Sequence, residues 1–368
     1  MESKKTITWI TAGCFVDVDI DVVPSLATHY YIRWCIWGPV TDSDRKRVDA
    51  NVGKTNLSIE YVSPQKKWYL PQAFFEYRAL LKQVQKDCDL LYVDVGGGLW
   101  FYQALYSVCN LQKTVLAIHN VKTPKGARLE HLAKIMTSYA ILHFTNIQTF
   151  SKNQHAYLNS RVSGKNVLEA PLMLKDYGAL PAVELHKGIN FLTFGHIRGY
   201  KRVDLLIEAA QMLYQQGKRD FKVFIVGNCK NWSEYESLIT IPELFDNHIG
   251  FVENDDIPKY FADADFFVLP YQDLAQSGAI TVAFQYNVPV ITSDIEQFQE
   301  FNGDECRGLQ FKNCDVADLS RVMGKAIDMS SSQRESMKAA QKEFVDKEFS
   351  ASSILGRYKD YFNRLLAQ

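Results

Sequence analysis

Short apolar runs typical of buried strands alternate with segments of helical periodicity along the whole chain. In the first half, strands are predicted at Thr6–Ile10, Tyr31–Trp37, Leu90–Val95, Thr114–Ile118 and Ile141–Phe144. In the second half, they are predicted at Phe191–Phe194, Lys222–Val226, Phe266–Leu269 and Val288–Thr292. Regular alternation of this kind indicates βαβ units on a parallel sheet. The sequence therefore predicts an α/β protein.

The alternation breaks once, at residues 171–187, which contain two prolines, a glycine and mixed charges. A chain of 368 residues is also too long for one ordinary core. We therefore predict two doubly wound, Rossmann-like domains, at residues 1–175 and 188–348, facing one another across a ligand cleft. A C-terminal helix is predicted at 349–368, and its single apolar stripe favours packing back on the N-terminal domain. The stripe consists of Ile354, Tyr358, Phe362 and Leu365.

Composition argues against several classes of function. The 41 lysine and arginine residues balance 42 acidic residues, and a net charge of -1 provides no general positive field for nucleic acid. No apolar run has the length of a membrane span or of a signal-peptide core. The seven cysteines form no C-x-x-C pair, which favours reduced thiols. These features predict a cytoplasmic protein, and a peripheral contact with the inner face of the membrane stays open.

Residues 195–202, here called the basic loop, connect a predicted strand to a predicted helix. Gly195 allows a tight turn close to a ligand, and Arg198 and Lys201 supply positive charge. Arg202 is a further candidate. Such a loop suits a diphosphate, because lysine binds phosphate as a point charge and arginine binds it as a fork. A solvated basic turn is the alternative.

Residues 271–279, here called the serine loop, also follow a predicted strand and precede an apolar helix. Ser277 is predicted to cap that helix, and the backbone N–H groups of Gly278 and Ala279 can then bind an anion. A plain N-cap is the alternative for this loop alone. Because both loops follow strands of one predicted sheet, together they indicate an anion site.

The segment Phe194–Asp204 resembles the F-G-x-I-R-x-Y-K-G-x-D loop of the retaining glycosyltransferases of family 4, which have the GT-B fold. Asn247–Asp265 is similar to the nucleotide-side stretch of that family, and Pro270–Ile291 is similar to its donor-binding loop, helix and strand. The resemblance extends over residues 190–365, and it implies that the domain at 188–348 binds the nucleotide sugar and that the domain at 1–175 forms the acceptor side. In the N-terminal half it is confined to strand order and to a histidine that closes a strand, here His119.

The resemblance implies roles for individual residues. The donor diphosphate would be bound by Arg198, Lys201, Ser277, Gly278, Ala279 and, from the first βα loop of the other domain, Gly13. The donor sugar or nucleotide would contact His196, Gln276, Gly227, Asn228, Phe251 and Val252. The candidate catalytic residues are His119, which would orient the donor sugar or the acceptor hydroxyl, and Asp273.

The chain departs from the family at two places. Many members carry E-x-F-G-x-x-x-x-E in the donor loop, with one glutamate near the sugar and the other on the ribose. Alignment on Gly278 places Ala275 and Ala283 at those positions. The nearest polar substitutes are Asp273 and Gln276. In addition, His196 stands where many members have arginine.

The segment after His119 is basic. Its cations are candidates for binding an anionic acceptor, such as a lipid pyrophosphate at a membrane surface. They are Lys122, Lys125 and Arg128. A solvated basic loop is the alternative.

Two D-x-D sequences, Asp17–Asp21 and Asp263–Asp265, are similar to metal sites of other transferases. Aspartate is also common at turns, where it forms local hydrogen bonds, and we predict no metal site. Residues 96–98 are three glycines after a strand. They lack the spacing of a dinucleotide site and predict a tight turn.

The predicted activity is a metal-independent, retaining transfer of a sugar from a nucleotide diphosphate sugar, with UDP favoured over GDP, and no cofactor is expected. The expected acceptor is a hydroxyl of a glycan or of a lipid-linked saccharide, in cell-surface polysaccharide synthesis. Two alternatives stay open, namely a non-catalytic nucleotide-sugar-binding subunit and a GT-B nucleotide-sugar epimerase. No nucleic acid partner is expected.

Overall fold

A computed structural model describes residues 4–96, 98–123, 130–183, 186–274, 277–303 and 305–367. The chain divides into two compact units. Unit 1 comprises Met1–Met173 and Ser350–Gln368, and unit 2 comprises Leu174–Phe349. In the described part of the chain, no helix combines the length and the apolar character needed to cross a bilayer.

Unit 1 is built on a parallel sheet, seven-stranded in the described residues, with the strand order β3-β2-β1-β4-β5-β6-β7. Its strands are β1 (Thr6–Ala12), β2 (Tyr31–Trp37), β3 (Leu57–Val62), β4 (Leu90–Asp94), β5 (Thr114–Ala117), β6 (Asn146–Thr149) and β7 (Asn166–Glu169). Its helices are α1 (Val16–Asp19), α2 (Val23–Leu26), α3 (Asp42–Asp49), α4 (Gln72–Val84), α5 (Leu99–Val108), α6 (Glu130–His143), α7 (Lys152–Arg161) and, from the C-terminus, α15 (Ala351–Leu366).

Unit 2 repeats this plan on a parallel sheet of six described strands, in the order β10-β9-β8-β11-β12-β13. Its strands are β8 (Ile189–Phe194), β9 (Phe221–Gly227), β10 (Phe245–Ile249), β11 (Phe266–Leu269), β12 (Val290–Ser293) and β13 (Gly308–Phe311). Its helices are α8 (Val203–Gln215), α9 (Trp232–Glu236), α10 (Ile257–Ala262), α11 (Gly278–Gln285), α12 (Glu296–Asn302), α13 (Val316–Asp328) and α14 (Ser331–Glu348).

The prediction of two doubly wound α/β units with a C-terminal helix is confirmed. The predicted strand at Ile141–Phe144 is wrong, because α6 continues to His143 and the strand begins at Asn146. That strand, β6, is buried although its sequence is Asn-Ile-Gln-Thr. The side chain of Asn146 donates hydrogen bonds to three backbone carbonyls, the shortest of them 2.8 Å long, and this pairing makes its burial tolerable.

Each sheet reverses its strand order at one point, between β1 and β4 in unit 1 and between β8 and β11 in unit 2. The helices that follow the two strands at such a point lie on opposite faces of the sheet, so a crevice opens at the carboxyl ends of those strands. In unit 2 the basic loop follows β8 and the serine loop follows β11. The topology therefore brings the two predicted anion loops to the same place.

The C-terminal helix α15 completes the core of unit 1. Tyr358 is buried, and its hydroxyl accepts a hydrogen bond of 2.6 Å from the side chain of Gln148 on β6. The ring of Phe362 is fully buried, with ring centroids 6.1 Å from Trp9 and 6.0 Å from Tyr92. These contacts join residues far apart in sequence, so the folding of unit 1 depends on the last residues of the chain.

We expect Phe362→Ala to lower the free energy of unfolding of unit 1 by about 3–5 kcal/mol, since it removes a buried ring and leaves a cavity. Urea unfolding followed by circular dichroism measures the change. Phe75→Ala is the matched control in the same unit, because the ring of Phe75 is 70% exposed. The control is expected to change stability by less than about 0.5 kcal/mol. Equal unfolding midpoints for the two variants would contradict the packing of α15.

Candidate functional site

Backbone contacts hold the basic loop in place. Gly195 has φ 106° and Gly227, at the end of β9, has φ 134°, both in the region that favours glycine. A Cβ on Gly227 would lie 2.3 Å from the carbonyl oxygen of Gly195. The N–H of Ile197 donates to the carbonyl of Asn228 at 2.8 Å. Gly227 and Asn228 therefore support the loop through their backbones, a packing reason for these two residues that the sequence did not reveal.

Lys201 is the central cation of the basic loop. Its Nζ lies under Gly195, 3.4 Å from the position that a Cβ there would take, and 5.2 Å from the ring centroid of Tyr271. Burial lowers the pKa of Lys201 to about 8, and the positive charge of Arg198 acts in the same direction. Among the described residues, no acidic side chain pairs with Lys201 or Arg198. A confined positive charge without a counter-ion in the described chain is the arrangement expected of an anion site.

The other two basic residues of the loop differ from this pair. The pKa of His196 is lowered by burial and by the charges of Arg198 and Lys201, so the neutral ring is favoured. His196 therefore offers hydrogen bonds rather than a third positive charge. Arg202 contacts both carboxylate oxygens of Asp204, at 3.1 and 2.9 Å. The candidate cation Arg202 is thus already neutralised within unit 2.

The serine loop ends at the N-terminus of α11. The hydroxyl of Ser277 accepts a hydrogen bond of 3.4 Å from the N–H of Ile280, so the predicted N-cap is present. The ring of Tyr271 lies beside Lys201, and the next residue, Gln272, donates its N–H to the carbonyl of Tyr200 in the basic loop at 2.9 Å. Gly278 and Ala279 begin the helix. The two loops are therefore joined by a backbone hydrogen bond and by the contact of Lys201 with the buried ring of Tyr271.

Lys175 is a further cation at this position, and the sequence did not single it out. Its Nζ lies 3.6 Å from the position that a Cβ on Gly278 would take. The residue belongs to the segment that precedes β8 and was predicted only as a linker. No local motif marks it, because the contact joins positions about a hundred residues apart. Positive charge near the first turn of α11 adds to the attraction of that helix end for an anion.

The other predicted site residues of unit 2 lie in the serine loop and after β10. Asp273 is half-buried in the serine loop, and Gln276 and Ala275 lie outside the described residues. Phe251 follows β10 with 74% of its surface exposed, while the neighbouring Val252 packs against the core. Ala283 is fully buried in α11 among apolar side chains. A carboxylate at that position would be surrounded by apolar side chains in this chain, which is consistent with its absence.

His119 lies two residues after β5 in unit 1. Its Nε2 donates a hydrogen bond of 2.8 Å to Oδ1 of Asp94, and its ring is stacked between Phe15 and Phe150, with centroids 4.1 and 4.2 Å away. A carboxylate bonded to Nε2 favours the proton on that nitrogen, which fixes the tautomer of the ring. Asp94 ends β4 and is fully buried, so this histidine is held in one orientation and one tautomer. Sequence reasoning missed Asp94 because it reads as the end of an apolar strand.

The first D-x-D sequence is used for packing. Asp19 is fully buried, and its Oδ2 accepts hydrogen bonds from Trp9 (2.8 Å) and Thr11 (2.6 Å). Burial and then the charge of Asp94 raise the pKa of Asp19 well above its usual range, which favours the protonated form. In the second D-x-D sequence, the carboxylates bind Asn190 at the start of β8. The described residues contain no group of three or more side chains that could hold a metal ion.

The structure describes Lys122, one of the three predicted acceptor cations, and Gly13, the predicted phosphate contact of unit 1. The N–H of Lys122 donates to Gln154, and its ammonium lies 5.9 Å from the ring of Tyr157. Lys125 and Arg128 lie outside the described residues. A Cβ on Gly13 would lie 2.0 Å from the carbonyl oxygen of Pro39, so close approach of two backbone segments explains this glycine. A role of Gly13 toward phosphate stays a prediction.

Known proteins are similar to this chain in sequence over unit 2 and in structure over almost its whole length. Residues 182–344 match the family model described as glycosyl transferases group 1, and this segment lies in unit 2. A glycosyltransferase from Rickettsia africae superimposes with a TM-score of 0.77 at 15% identity, covering 99% of each chain. The chain has the GT-B fold. No curated protein sequence matches the chain.

Other GT-B structures are similar over almost the whole chain. HepE from Anabaena, solved in complex with UDP and glucose, has a TM-score of 0.74 at 12% identity. The match covers 98% of this chain and 100% of HepE. Sucrose-phosphate synthase from Thermosynechococcus elongatus has a TM-score of 0.72 at 15% identity, with coverage of 99% of this chain and 100% of that one. At sequence identities this low, the structural similarity establishes the fold of the chain alone.

The lowered pKa of Lys201 predicts how binding of a nucleoside diphosphate depends on pH. The ammonium is charged below about pH 8 and loses its charge as the pH rises through that value. Affinity for UDP is therefore expected to fall above pH 8, by up to about tenfold at pH 9. Calorimetric titrations from pH 7 to 9.5 measure this change. Lys201→Arg keeps its charge and should remove most of the decline, and an equal decline in both proteins would contradict the assignment.

Proposed function

We propose that the protein is a retaining, metal-independent glycosyltransferase that uses a nucleotide diphosphate sugar. The observation that carries the proposal is the juxtaposition of Lys201 and the N-terminus of α11 around Tyr271, at the point where the sheet of unit 2 reverses its strand order. The glycosyl transferases group 1 match of the same unit supports it. Retention and independence from metals come from the resemblance to family 4.

Charge stabilisation is the proposed contribution of unit 2 to the reaction. When the bond to the sugar breaks, negative charge grows on the leaving diphosphate. Lys201, Arg198 and the first backbone N–H groups of α11 stabilise that charge more strongly than they stabilise the intact donor, which lowers the barrier. Lys175 adds to this field from the side of Gly278.

Hydrogen bonding to a reacting hydroxyl is the proposed contribution of unit 1. His119 is the group proposed to contact that hydroxyl, and the carboxylate of Asp94 on its Nε2 balances positive charge on the ring if a proton arrives there. Asp273 is proposed as a second polar group toward the sugar, in place of the absent glutamate.

The donor and the acceptor are assigned by analogy. A UDP-sugar is favoured over a GDP-sugar, and HepE, which was solved with UDP and glucose, supports that choice. The proposed acceptor is a glycan or a lipid-linked saccharide made in the cytoplasm for cell-surface polysaccharide, with peripheral membrane contact as an option. Phe251, as an exposed ring after β10, is proposed to stack on the base.

Release of UDP from a panel of UDP-sugars, with GDP-mannose for comparison, tests this function. The wild type is expected to release nucleoside diphosphate from at least one donor, through slow hydrolysis or transfer to added saccharides, and Lys201→Ala is expected to lose most of this activity. UDP binding without release from any donor would favour a binding subunit, the alternative suggested by the two absent donor-loop glutamates. An isomeric nucleotide-sugar as product would identify an epimerase. Either result would overturn the transferase proposal.

A further inference from the structure

Unit 1 contains an apolar pocket of about 610 Å³ at the carboxyl ends of β1, β2 and β4. The large side chains of this pocket are Trp37, Trp68, Tyr77, Phe101, Leu132 and Met136. Gly13 and Gly96 contribute backbone to its wall. The pocket therefore lies where the sheet of unit 1 reverses its strand order, which is the usual ligand position in a doubly wound fold, and its volume is in the range of small-molecule sites.

One wall of the apolar pocket is formed by a loop that two contacts hold in place. The carboxylate of Glu76 accepts hydrogen bonds from the backbone N–H groups of Gln65, at 2.6 Å, and Lys66, at 2.8 Å. The ring of Trp68 lies so close to Gly98 that a Cβ there would be 2.8 Å from it. Because Trp68 is 44% exposed, a ligand that covers this ring removes apolar surface from water.

The polar groups of the apolar pocket are few and specific. Among its described lining residues, Lys66 and Lys67 are the charged ones, and no described acidic side chain pairs with either ammonium. The indole N–H of Trp37 is buried and has no hydrogen-bond partner in the described part of the chain. A pocket of this kind suits an apolar group with one anionic end, whereas sugar hydroxyls placed among its rings would lose hydrogen bonds to water.

The apolar pocket and His119 lie at the same end of the sheet. The ring of Phe15 is 3.4 Å from the position that a Cβ on Gly96 would take, and the same ring stacks on His119. A molecule held by its apolar part in the pocket can therefore present a hydroxyl toward the histidine within unit 1.

We propose that the apolar pocket binds the acceptor, and that the acceptor is an amphiphile with an apolar chain and an anionic group. The chain lies against Trp68, Phe101 and Leu132, and the anionic group meets Lys66 and Lys67. An oxygen of the amphiphile accepts the N–H of Trp37. This proposal deepens the transferase function and rests on it.

Binding of decyl phosphate, below its micellar concentration, tests the proposal by calorimetry on the full chain. Inorganic phosphate lacks the chain and decyl maltoside lacks the charge. We expect decyl phosphate to bind at least tenfold more tightly than either compound. Ala133→Phe, which fills the pocket from α6, should weaken decyl phosphate at least tenfold, while Ser138→Phe places the same ring on an exposed position of α6 outside the pocket and should not.

A second variant tests the proposal even if Ala133→Phe fails to fold. Replacing both Lys66 and Lys67 by alanine changes only exposed side chains and should weaken decyl phosphate severalfold without affecting decyl maltoside. Decyl phosphate that binds no better than inorganic phosphate, or equally well to all variants, would overturn the proposal. UDP titrated into the same samples separates this failure from failure of the transferase function, because the charged side chains proposed to bind UDP lie in unit 2.

Discussion

Replacing His119 with alanine is expected to lower kcat for sugar transfer by roughly 100- to 10,000-fold, the range for loss of a positioned acid–base group. The affinity for UDP should stay within about twofold of the wild-type value, since the charged side chains proposed to bind the diphosphate lie in unit 2. The physical reason is that an imidazole held in one orientation by Asp94 and two aromatic rings can orient a hydroxyl and exchange its proton, and alanine offers neither function. Initial rates of transfer, with UDP calorimetry on the same samples, measure both quantities.

The control for this prediction is a second histidine in unit 1. His155 also bonds a carboxylate, Glu169, at 2.7 Å, but it lies on α7 and is not held between two aromatic rings. We expect His155→Ala to leave kcat nearly unchanged. If the two alanine variants lost activity equally, the effect of His119 would be structural.

Asp94→Asn tests whether Asp94 orients His119 or only fills space in the core, because the substitution keeps the shape of the buried side chain and removes its charge. An amide can donate to or accept from Nε2, so the tautomer of His119 is no longer fixed. We expect a loss of about 10- to 100-fold in kcat, the range for loss of a group that orients a functional histidine. A changed pH profile of kcat accompanied by an unchanged KM for the donor would distinguish this positioning role from a loss of fold.

Replacing Lys201 with alanine is expected to raise the Kd for UDP by about 10- to 100-fold, since a hydrogen bond from a charged group to a phosphate is lost. The same loss should appear in kcat/KM for the donor. Arg198→Ala should have a smaller effect, because its side chain is exposed to solvent, which screens its charge. Lys175→Ala is expected to lie between these variants and the wild type.

Lys222→Ala is the matched control, since it removes one exposed lysine from β9 of the same unit. It changes the net charge of unit 2 by the same amount and should leave the Kd for UDP within about twofold. Equal losses for Lys201→Ala and Lys222→Ala would show that the overall positive charge of unit 2, and not the Lys201 ammonium in particular, binds the nucleotide.

Much of the fold is visible in the sequence because strands buried on both faces are continuous apolar runs. Phe266–Leu269 and Lys222–Val226 were predicted in this way, and the parallel order of the sheets follows from the alternation. The strand β6 was missed because its polar residues are satisfied by hydrogen bonds to distant parts of the chain. The end of α6 was mistaken for a strand because a short apolar run fits either structure.

Some residues of the candidate site are marked by a local sequence pattern, and others are revealed only by the fold. Lys201 and Ser277 could be found because each belongs to a local pattern at a strand's end. Asp94 and Lys175 could not, since each becomes a candidate only through a partner that the fold brings near it, namely His119 and Gly278. The apolar pocket was also missed, because its lining residues are spread over separate segments between positions 12 and 136 and form no pattern along the sequence.

A crystal structure of the chain with bound UDP would show directly which groups hold the diphosphate. We expect the diphosphate to lie at the N-terminus of α11, with oxygens about 3 Å from Nζ of Lys201 and from the backbone nitrogen of Gly278 or Ala279. Difference density for the diphosphate elsewhere in unit 2, or a nucleotide bound without contact to Lys201, would contradict it.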